Sequence, residues 1–443
     1  MLLVGNGLVL TMGEEQKVIA DGAVLIDGAV IKEVGATAEL RRRHPAAEFV
    51  DAGGKLIMPG QINAHMHLYS TFARGMDTKS APPKNFLDIL NGLWWKLDKL
   101  LNKEDIYFSA LVPLIECIKT GTTTIIDHHA SPYAVKGSLN TLADAARQAG
   151  VRAAFCYEVS DRDGEAVARE GIEENSAFLS ACRSAADPMV VGLFGLHASF
   201  TLSDATLKQC VEAAAVTDAG FHIHVAEGRE DLQDSLNRCG MRVVERLHHF
   251  GILGPKTIAA HCVHVNDGEI ELLRETGTAV VHNPESNMGN AVGAAPVLKM
   301  LAAGVKVGLG TDGYTCDMFE SAKVADMLQK HTAGDPSVAW AEVPRMLYRN
   351  NPAIASALFG GRLGVLQPGA WADVIVVDYT PPTPLTAANW SGHLHFGVLG
   401  RCVETTIING RIRMLNRRLI DLDERAINAR SRELAVRLWE RVK

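Results

Sequence analysis

Residues 58–68 read MPGQINAHMHL, an apolar run that follows a Pro59-Gly60 turn and ends on two histidines, His65 and His67. Residues i and i+2 of a β-strand project from one face, so both imidazoles can reach a single metal ion. The turn is equally informative. Before it the chain reads as short strands at 2–4, 23–26, 30–34 and 56–58, punctuated by Gly and Asp. After it apolar strands alternate with longer amphipathic stretches, the pattern of parallel strands joined by crossover helices.

Eight such strands can be counted, at 61–65, 122–127, 152–157, 190–197, 220–225, 257–261, 278–282 and 306–311. Helical periodicity lies between them at 103–120, 139–149, 204–219, 240–250, 267–275 and 296–303. Eight strands close a (β/α)8 TIM-type barrel, an α/β fold of roughly 250 residues. Past residue 362 strands return without helices, at 372–378 and 403–408, and Asn409-Gly410 signals a hairpin before 411–414. A charged amphipathic helix follows at 425–442. The expected organisation is a barrel over 59–361 and a small composite β-sandwich domain built from 1–58 and 362–443, the latter carrying the terminal helix.

Composition narrows the function classes. Apolar residues make up 47% of the 443 and charged residues 21%, enough for a large core. The formal charge is -7, with no basic stretch interleaved with aromatics, which argues against a nucleic-acid partner. Eight cysteines without a C-x-x-C pair fit neither a disulfide framework nor a cysteine zinc site, and suit a reducing cytoplasm. The opening MLLVGNGLVLTMGEEQ lacks a basic leader, and no run approaches the roughly 20 apolar residues of a membrane span. The expected setting is cytoplasmic, without membrane contact.

Barrel active sites lie at the C-terminal ends of the strands. Here those ends carry His65 and His67, Asp127 and His128, His197, His224 and Glu227, His261, His282, and Asp312. Each short motif is weak alone: 16 histidines produce an H-x-H pair by chance, and the chain has three. Position is what gives the first pair its value. A catalytic metal needs fixed ligands and an open place for water. We assign His65, His67, His224 and Asp312 as ligands and read His222 as a hydrogen-bonded wall histidine. Asp312, in GLGTDG, could instead cap a helix.

Glu227, three residues past His224, is the candidate for proton transfer, against the reading of an exposed acid. His261 would assist Asp312 with the water or the leaving group, unless it is a core histidine. Further candidate substrate contacts are Glu116, His128, His129, His197 and Trp94, each as readily structural.

At these residues the chain resembles the metal-dependent amidohydrolase superfamily, in the branch of nucleobase deaminases and chlorohydrolases, and within it most the SsnA group of aminohydrolases. The resemblance rests on MPGQINAHMHL (58–68), TGTTTIID (120–127), HVAE (224–227), AAHCVH (259–264), HNPESNM (282–288), GLGTDG (308–313) and LGVLQPGAWADVIVVD (363–378). It implies one ion on His65, His67, His224 and Asp312, Glu227 as acid/base, His261 beside it, a composite β domain, and a homodimer or larger assembly. Zinc is the first choice, and three imidazoles with one carboxylate also suit iron or manganese. Two-metal subgroups use a carboxylated Lys in mid-barrel; no Lys ends the third or fourth strand here, so a single ion follows.

Two positions depart from the family pattern. Ser70 stands where relatives often carry Gln, and Gly289 where a basic residue is common. The implied reaction is hydrolytic deamination of an amino-substituted N-heterocycle, a purine or purine-breakdown product, with water as the other reactant. Dechlorination or N-dealkylation by the same site is the enzyme alternative. A non-catalytic metal-binding interaction module is the other, opposed by the intact ligand set with Glu227 and His261.

Overall fold

The computed structural model describes residues 1–442. Its centre is a ring of eight parallel strands: Gln61–Met66, Thr122–Asp127, Arg152–Phe155, Val190–Gly192 continuing into Phe194–Ala198, Phe221–Val225, Ile258–His261, Ala279–His282 and Val307–Leu309. Two seams join what would otherwise be separate sheets. At one, the fourth strand breaks at Leu193, whose N–H donates to Phe155 O at 3.0 Å while Phe194 N–H donates to Gly220 O at 2.9 Å. At the other, Met66 bridges Asp312, and the N–H groups of Thr311 and Asp312 both donate to His65 O at 3.0 Å.

Apart from Val191 and Gly192, every residue of these strands is buried. Burial on both faces removes the alternation of a half-exposed strand, which is why the strands read as continuous apolar runs. Between them the helices start and stop where local chemistry dictates. Lys103–Thr120 begins with Asn102 accepting from the N–H groups of Glu104 and Asp105, Asp105 reaching back to Asn102 N–H at 3.0 Å, and ends at Gly121 with φ 81°.

The helix expected at 240–250 is Val243–His249, and a separate helix not read from the sequence, Arg229–Cys239, precedes it and ends at Gly240 with φ 66°. The longest crossover helix, Glu165–Ala185, was not anticipated. It carries Gly171 at mid-length, an unfavourable residue there. The ring of Tyr157 lies 3.0 Å from where a Cβ would stand, so a larger residue would press on that buried ring.

Strands from both ends of the chain form one nine-stranded sheet, in which Leu56–Pro59 pairs antiparallel with Val374–Val377. Hydrogen bonding is continuous across it, and Leu2, Val4, Val24, Ile26, Val374 and Val376 from the two ends of the chain share one buried cluster. The first strand, Leu2–Leu10, pairs with Glu48–Asp51 along its first half and with Leu56–Pro59 along its second. The hairpin at Asn409-Gly410 has φ of 52° and 73°, the doubly left-handed turn that this dipeptide favours. No helix among the described residues is long and apolar enough to cross a membrane.

Arg152 ties this sheet to the barrel. Its guanidinium is fully buried; Nε donates to Asp373 Oδ2 at 3.2 Å and Nη1 to Pro188 O at 2.6 Å. Arg152→Met would leave the buried Asp373 carboxylate without its cation, a loss of about 3–5 kcal/mol in chemical denaturation. A change below about 1 kcal/mol would show that the pair does not hold the two parts together.

Candidate active site

The site is built where the strands turn out of the barrel. Ala226 (φ 45°), His261 (74°), Cys262 (52°) and Asp312 (56°) all adopt left-handed backbone at the ends of the fifth, sixth and eighth strands. Such conformations cost roughly 1–3 kcal/mol each for residues other than glycine, and they collect at functional sites. Here they carry the chain sharply away from the strands beside Glu227, His261 and Asp312. Asp127 Oδ1 accepts from Leu68 N–H at 2.7 Å and anchors the loop that follows His67.

Three imidazoles and one carboxylate converge. His67 Nε2 lies 3.0 Å from Asp312 Oδ1 and 3.2 Å from His224 Nε2, and His65 Nε2 lies 3.8 Å from the same Asp312 oxygen. His65 Nε2 is buried with no hydrogen-bond partner. The other nitrogen of each ring is held: His67 Nδ1–H donates to His128 O at 2.5 Å and His224 Nδ1–H to His197 O at 2.9 Å, while His65 Nδ1 meets His222 Nε2 at 2.9 Å. A carbonyl only accepts, so in their neutral forms His67 and His224 turn bare Nε2 lone pairs inward. An orphaned nitrogen among converging lone pairs and a carboxylate fits a divalent ion.

His222 therefore acts on the site through His65. His222→Leu is expected to weaken zinc binding about 10–100-fold without unfolding the chain, read by competition with a chromophoric chelator. Unchanged affinity would remove it from that role.

Electrostatics sort the ligands. Burial, then crowding by neighbouring imidazoles, pushes His65 and His224 well below the ordinary histidine range and keeps them neutral. Burial opposes charge on His67 too, but the Asp312 hydrogen bond and the nearby carboxylates outweigh it and raise His67 to about 10. Asp312 is raised by burial, yet the hydrogen bond and charge of His67, helped by His261 and Ser286, hold it below the usual range. Metal uptake must displace the proton that this pair shares.

Glu227 follows the turn at Ala226. Its Oε2 lies 3.5 Å from His261 Nε2, and its Oε1 accepts from Asn290 Nδ2 at 3.3 Å. Burial and then the charge of Asp312 push its carboxyl well above the usual range, so it holds a proton readily. His261 differs from the ligand histidines: its Nδ1 accepts from Asn287 Nδ2 at 2.9 Å, which leaves Nε2–H facing Glu227 and Asp312 Oδ2. Burial lowers it to about 4, so it is a neutral donor. Ser286 Oγ–H donates to Asp312 Oδ2.

A pocket enclosing about 720 Å³, its open mouth included, rises above these groups. Phe86, Trp94, Trp95, Phe200 and Tyr314 line its walls, a shape and chemistry suited to a flat ring. Tyr314 Oη lies 1.9 Å from where a Cβ at Gly289 would stand, so this ring occupies the space that a side chain at that position would need.

The other expected contacts divide. Trp94 and His197 line the pocket. His128 is buried beneath the ligand rings, its Nε2–H on His222 O at 3.1 Å. His129 is buried behind the wall with Nε2 at 3.0 Å from Ser131 Oγ. Glu116 is elsewhere: it sits on the outer part of Lys103–Thr120, partly exposed and paired with Arg74 at 2.7 Å. The expectation of a substrate contact at Glu116 is not met, because its helix face meets the loop carrying Arg74 rather than the pocket. Sequence reasoning also passed over Ser286, Asn287, Asn290 and Glu158. The first two lie in the HNPESNM stretch, where a signal was available; Glu158 stands just past the third strand, in row with His128 and His197.

Comparison with known proteins finds relatives along the whole chain. The family model described as "Amidohydrolase family" matches residues 56–413, and a model of the imidazolonepropionase-like composite domain of bacteria matches 22–47. The 5'-deoxyadenosine deaminase of Methanosarcina mazei is 34% identical over 445 residues, covering 100% of this chain and 99% of that protein. The 5-methylthioadenosine/S-adenosylhomocysteine deaminase of Pelotomaculum thermopropionicum is also 34% identical, over 99% of each chain. Among solved structures, a zinc-bound adenosine deaminase from Xanthomonas campestris superimposes with a TM-score of 0.88 at 26% identity, covering 99% of this chain and 98% of that one. With a family model spanning most of its length and full-length relatives above 30% identity, this chain belongs to the amidohydrolase family.

Proposed function

We propose that the protein is a zinc-dependent hydrolytic deaminase of an amino-substituted N-heterocycle of purine type. The observation that carries this reading is a buried, proton-holding Glu227 set 3.5 Å from His261, beside the His/Asp cluster and below an aromatic slot. Relatives named for deamination of 5'-deoxyadenosine and of methylthioadenosine or S-adenosylhomocysteine support the purine assignment.

His65, His67, His224 and Asp312 would hold the ion, whose contribution when bound is to polarise water and bring its pKa from 15.7 toward about 7. The aromatic walls hold the ring flat, and Trp94 and His197 border it. Glu227 takes one proton from the attacking water and delivers it to the ring nitrogen next to the amino-bearing carbon, then carries the second proton from the added hydroxyl to the amine, so that the C–N bond breaks as the C=O bond forms. His261 Nε2–H steadies the incoming oxygen together with Asp312, whose Oδ2 is itself held by Ser286. The sum is heterocycle amine plus water giving the oxo-heterocycle plus ammonia.

We also propose a cytoplasmic setting, consistent with eight unpaired cysteines, and a homo-oligomer, as the family resemblance implies. Ammonia release across aminopurines, pterins, aminopyrimidines and triazines tests the reaction. Ammonia from at least one aminopurine is the expected result. Chloride or alkylamine release instead would move the chemistry to another leaving group, and full zinc with no turnover of any ring would favour a binding module.

A further inference from the structure

One carboxylate on the pocket wall has no part in the chemistry above. Glu158 lines the pocket beside His197, its side chain 3% exposed. The other acids there are compensated. Asp98 pairs with Arg162, Asp231 accepts from Phe200 N–H and Ala226 N–H at 2.9 Å, and Asp312 and Glu227 belong to the site already described. Glu158 instead faces three imidazole nitrogens: His128 Nδ1 at 3.3 Å, His67 Nδ1 at 3.5 Å and His197 Nε2 at 3.7 Å.

In the zinc-loaded protein, where the extra proton of His67 is displaced, none of these nitrogens has a proton to give when its ring is neutral. His67 commits Nδ1–H to His128 O at 2.5 Å. His128 must carry its proton on Nε2, which faces His222 O at 3.1 Å, so its Nδ1 is bare. Thr201 donates its hydroxyl to Ala198 O at 3.0 Å and accepts from His197 Nδ1–H at 2.8 Å, so His197 Nε2 is bare as well. Glu158 Oε1 and His128 Nδ1 are both buried without a hydrogen-bond partner. A buried carboxylate ringed by lone pairs is costly unless donors arrive from elsewhere. No Lys or Arg lines the pocket among the described residues.

We propose that Glu158, with His197 beside it, recognises a donor edge on the substrate: the adjacent N–H groups of a cyclic amidine or guanidine, neutral or protonated. A carboxylate accepts two such N–H groups side by side, and ionised acceptors make the strongest hydrogen bonds of this kind. The same wall disfavours heterocycles whose phosphate or carboxylate would lie against Glu158, where no Lys or Arg among the described residues lines the pocket to offset them. This inference rests on the deaminase reading and narrows its substrate class.

The test uses the zinc-loaded protein and two flat bicyclic probes, 2-aminobenzimidazole, which has a cyclic guanidine edge, and 1-methylbenzimidazole, which lacks it. Calorimetry is expected to show wild type preferring the first by at least about tenfold. Glu158→Gln should abolish the preference while keeping one zinc per chain and the affinity for 1-methylbenzimidazole. Should that variant fail to fold, Glu158→Asp, which retains charge but shortens reach, should lower the preference without reversing it. A wild type without the preference, or a preference that survives Glu158→Gln, overturns the proposal. A second zinc per chain that disappears in Glu158→Gln also overturns it, by giving the cluster to a metal. Ammonia release fails separately: loss of deamination with the probe preference intact would sink the reaction and not the donor edge.

Discussion

Glu227→Gln is expected to keep one zinc per chain while lowering kcat by about 10²–10⁴-fold, the usual contribution of a positioned acid or base. The substitution preserves size and the acceptor that meets Asn290 Nδ2, but removes the proton that the buried carboxyl exchanges. Nothing else near the reacting ring can replace it: Asp312 is held below the ordinary range, and His261 is lowered to about 4. Single-turnover rates with zinc assayed on the same samples make the measurement. A variant turning over at the wild-type rate would remove Glu227 from the mechanism.

Stripping the ion should cost still more, beyond about 10⁴-fold, with recovery on adding back zinc. His65→Ala should copy the stripped state, since its Nε2 is the ligand atom with no other partner. The pH dependence follows from His67, raised to about 10 from 6.5. Below that value a proton competes for Nε2, so each zinc bound near neutral pH should release about one proton, and apparent affinity should weaken as pH falls. In the metal-free protein the sign is opposite: a raised histidine stabilises the fold fully below pH 6.5 and loses that contribution as pH climbs through about 10. Titration calorimetry in buffers of different ionisation heat counts the protons. No proton release would contradict a protonated His67 paired with Asp312.

Much of the fold was legible because burial on both faces leaves a visible trace. Seven strands fell in single apolar runs, and the fourth was drawn as one piece because nothing in MVVGLFGLHA marks the change of partner at Leu193. Glu165–Ala185 escaped because its mid-helix glycine serves Tyr157, a contact invisible to periodicity.

The converging histidines were legible for a related reason. Strand ends meet at one mouth of the barrel, so residues from distant positions share a place that topology alone assigns. What surrounds them was not. Glu116 looked available because the sequence does not say which helix face meets the barrel, and it turned to Arg74. Ser286, Asn287 and Asn290 act through contacts with Asp312, His261 and Glu227 made by a short helix after the seventh strand. Glu158 read as an ordinary acid, since only coordinates reveal three imidazoles around it.

The most direct test of the central claim is an anomalous difference map at the zinc absorption edge from crystals of the zinc-loaded protein. One strong peak per chain is expected, within roughly 2.0–2.2 Å of Nε2 of His65, His67 and His224 and of a carboxylate oxygen of Asp312. A map with no peak there, or with its main peak at His128 and Glu158, would contradict the assignment of the ion to those four residues.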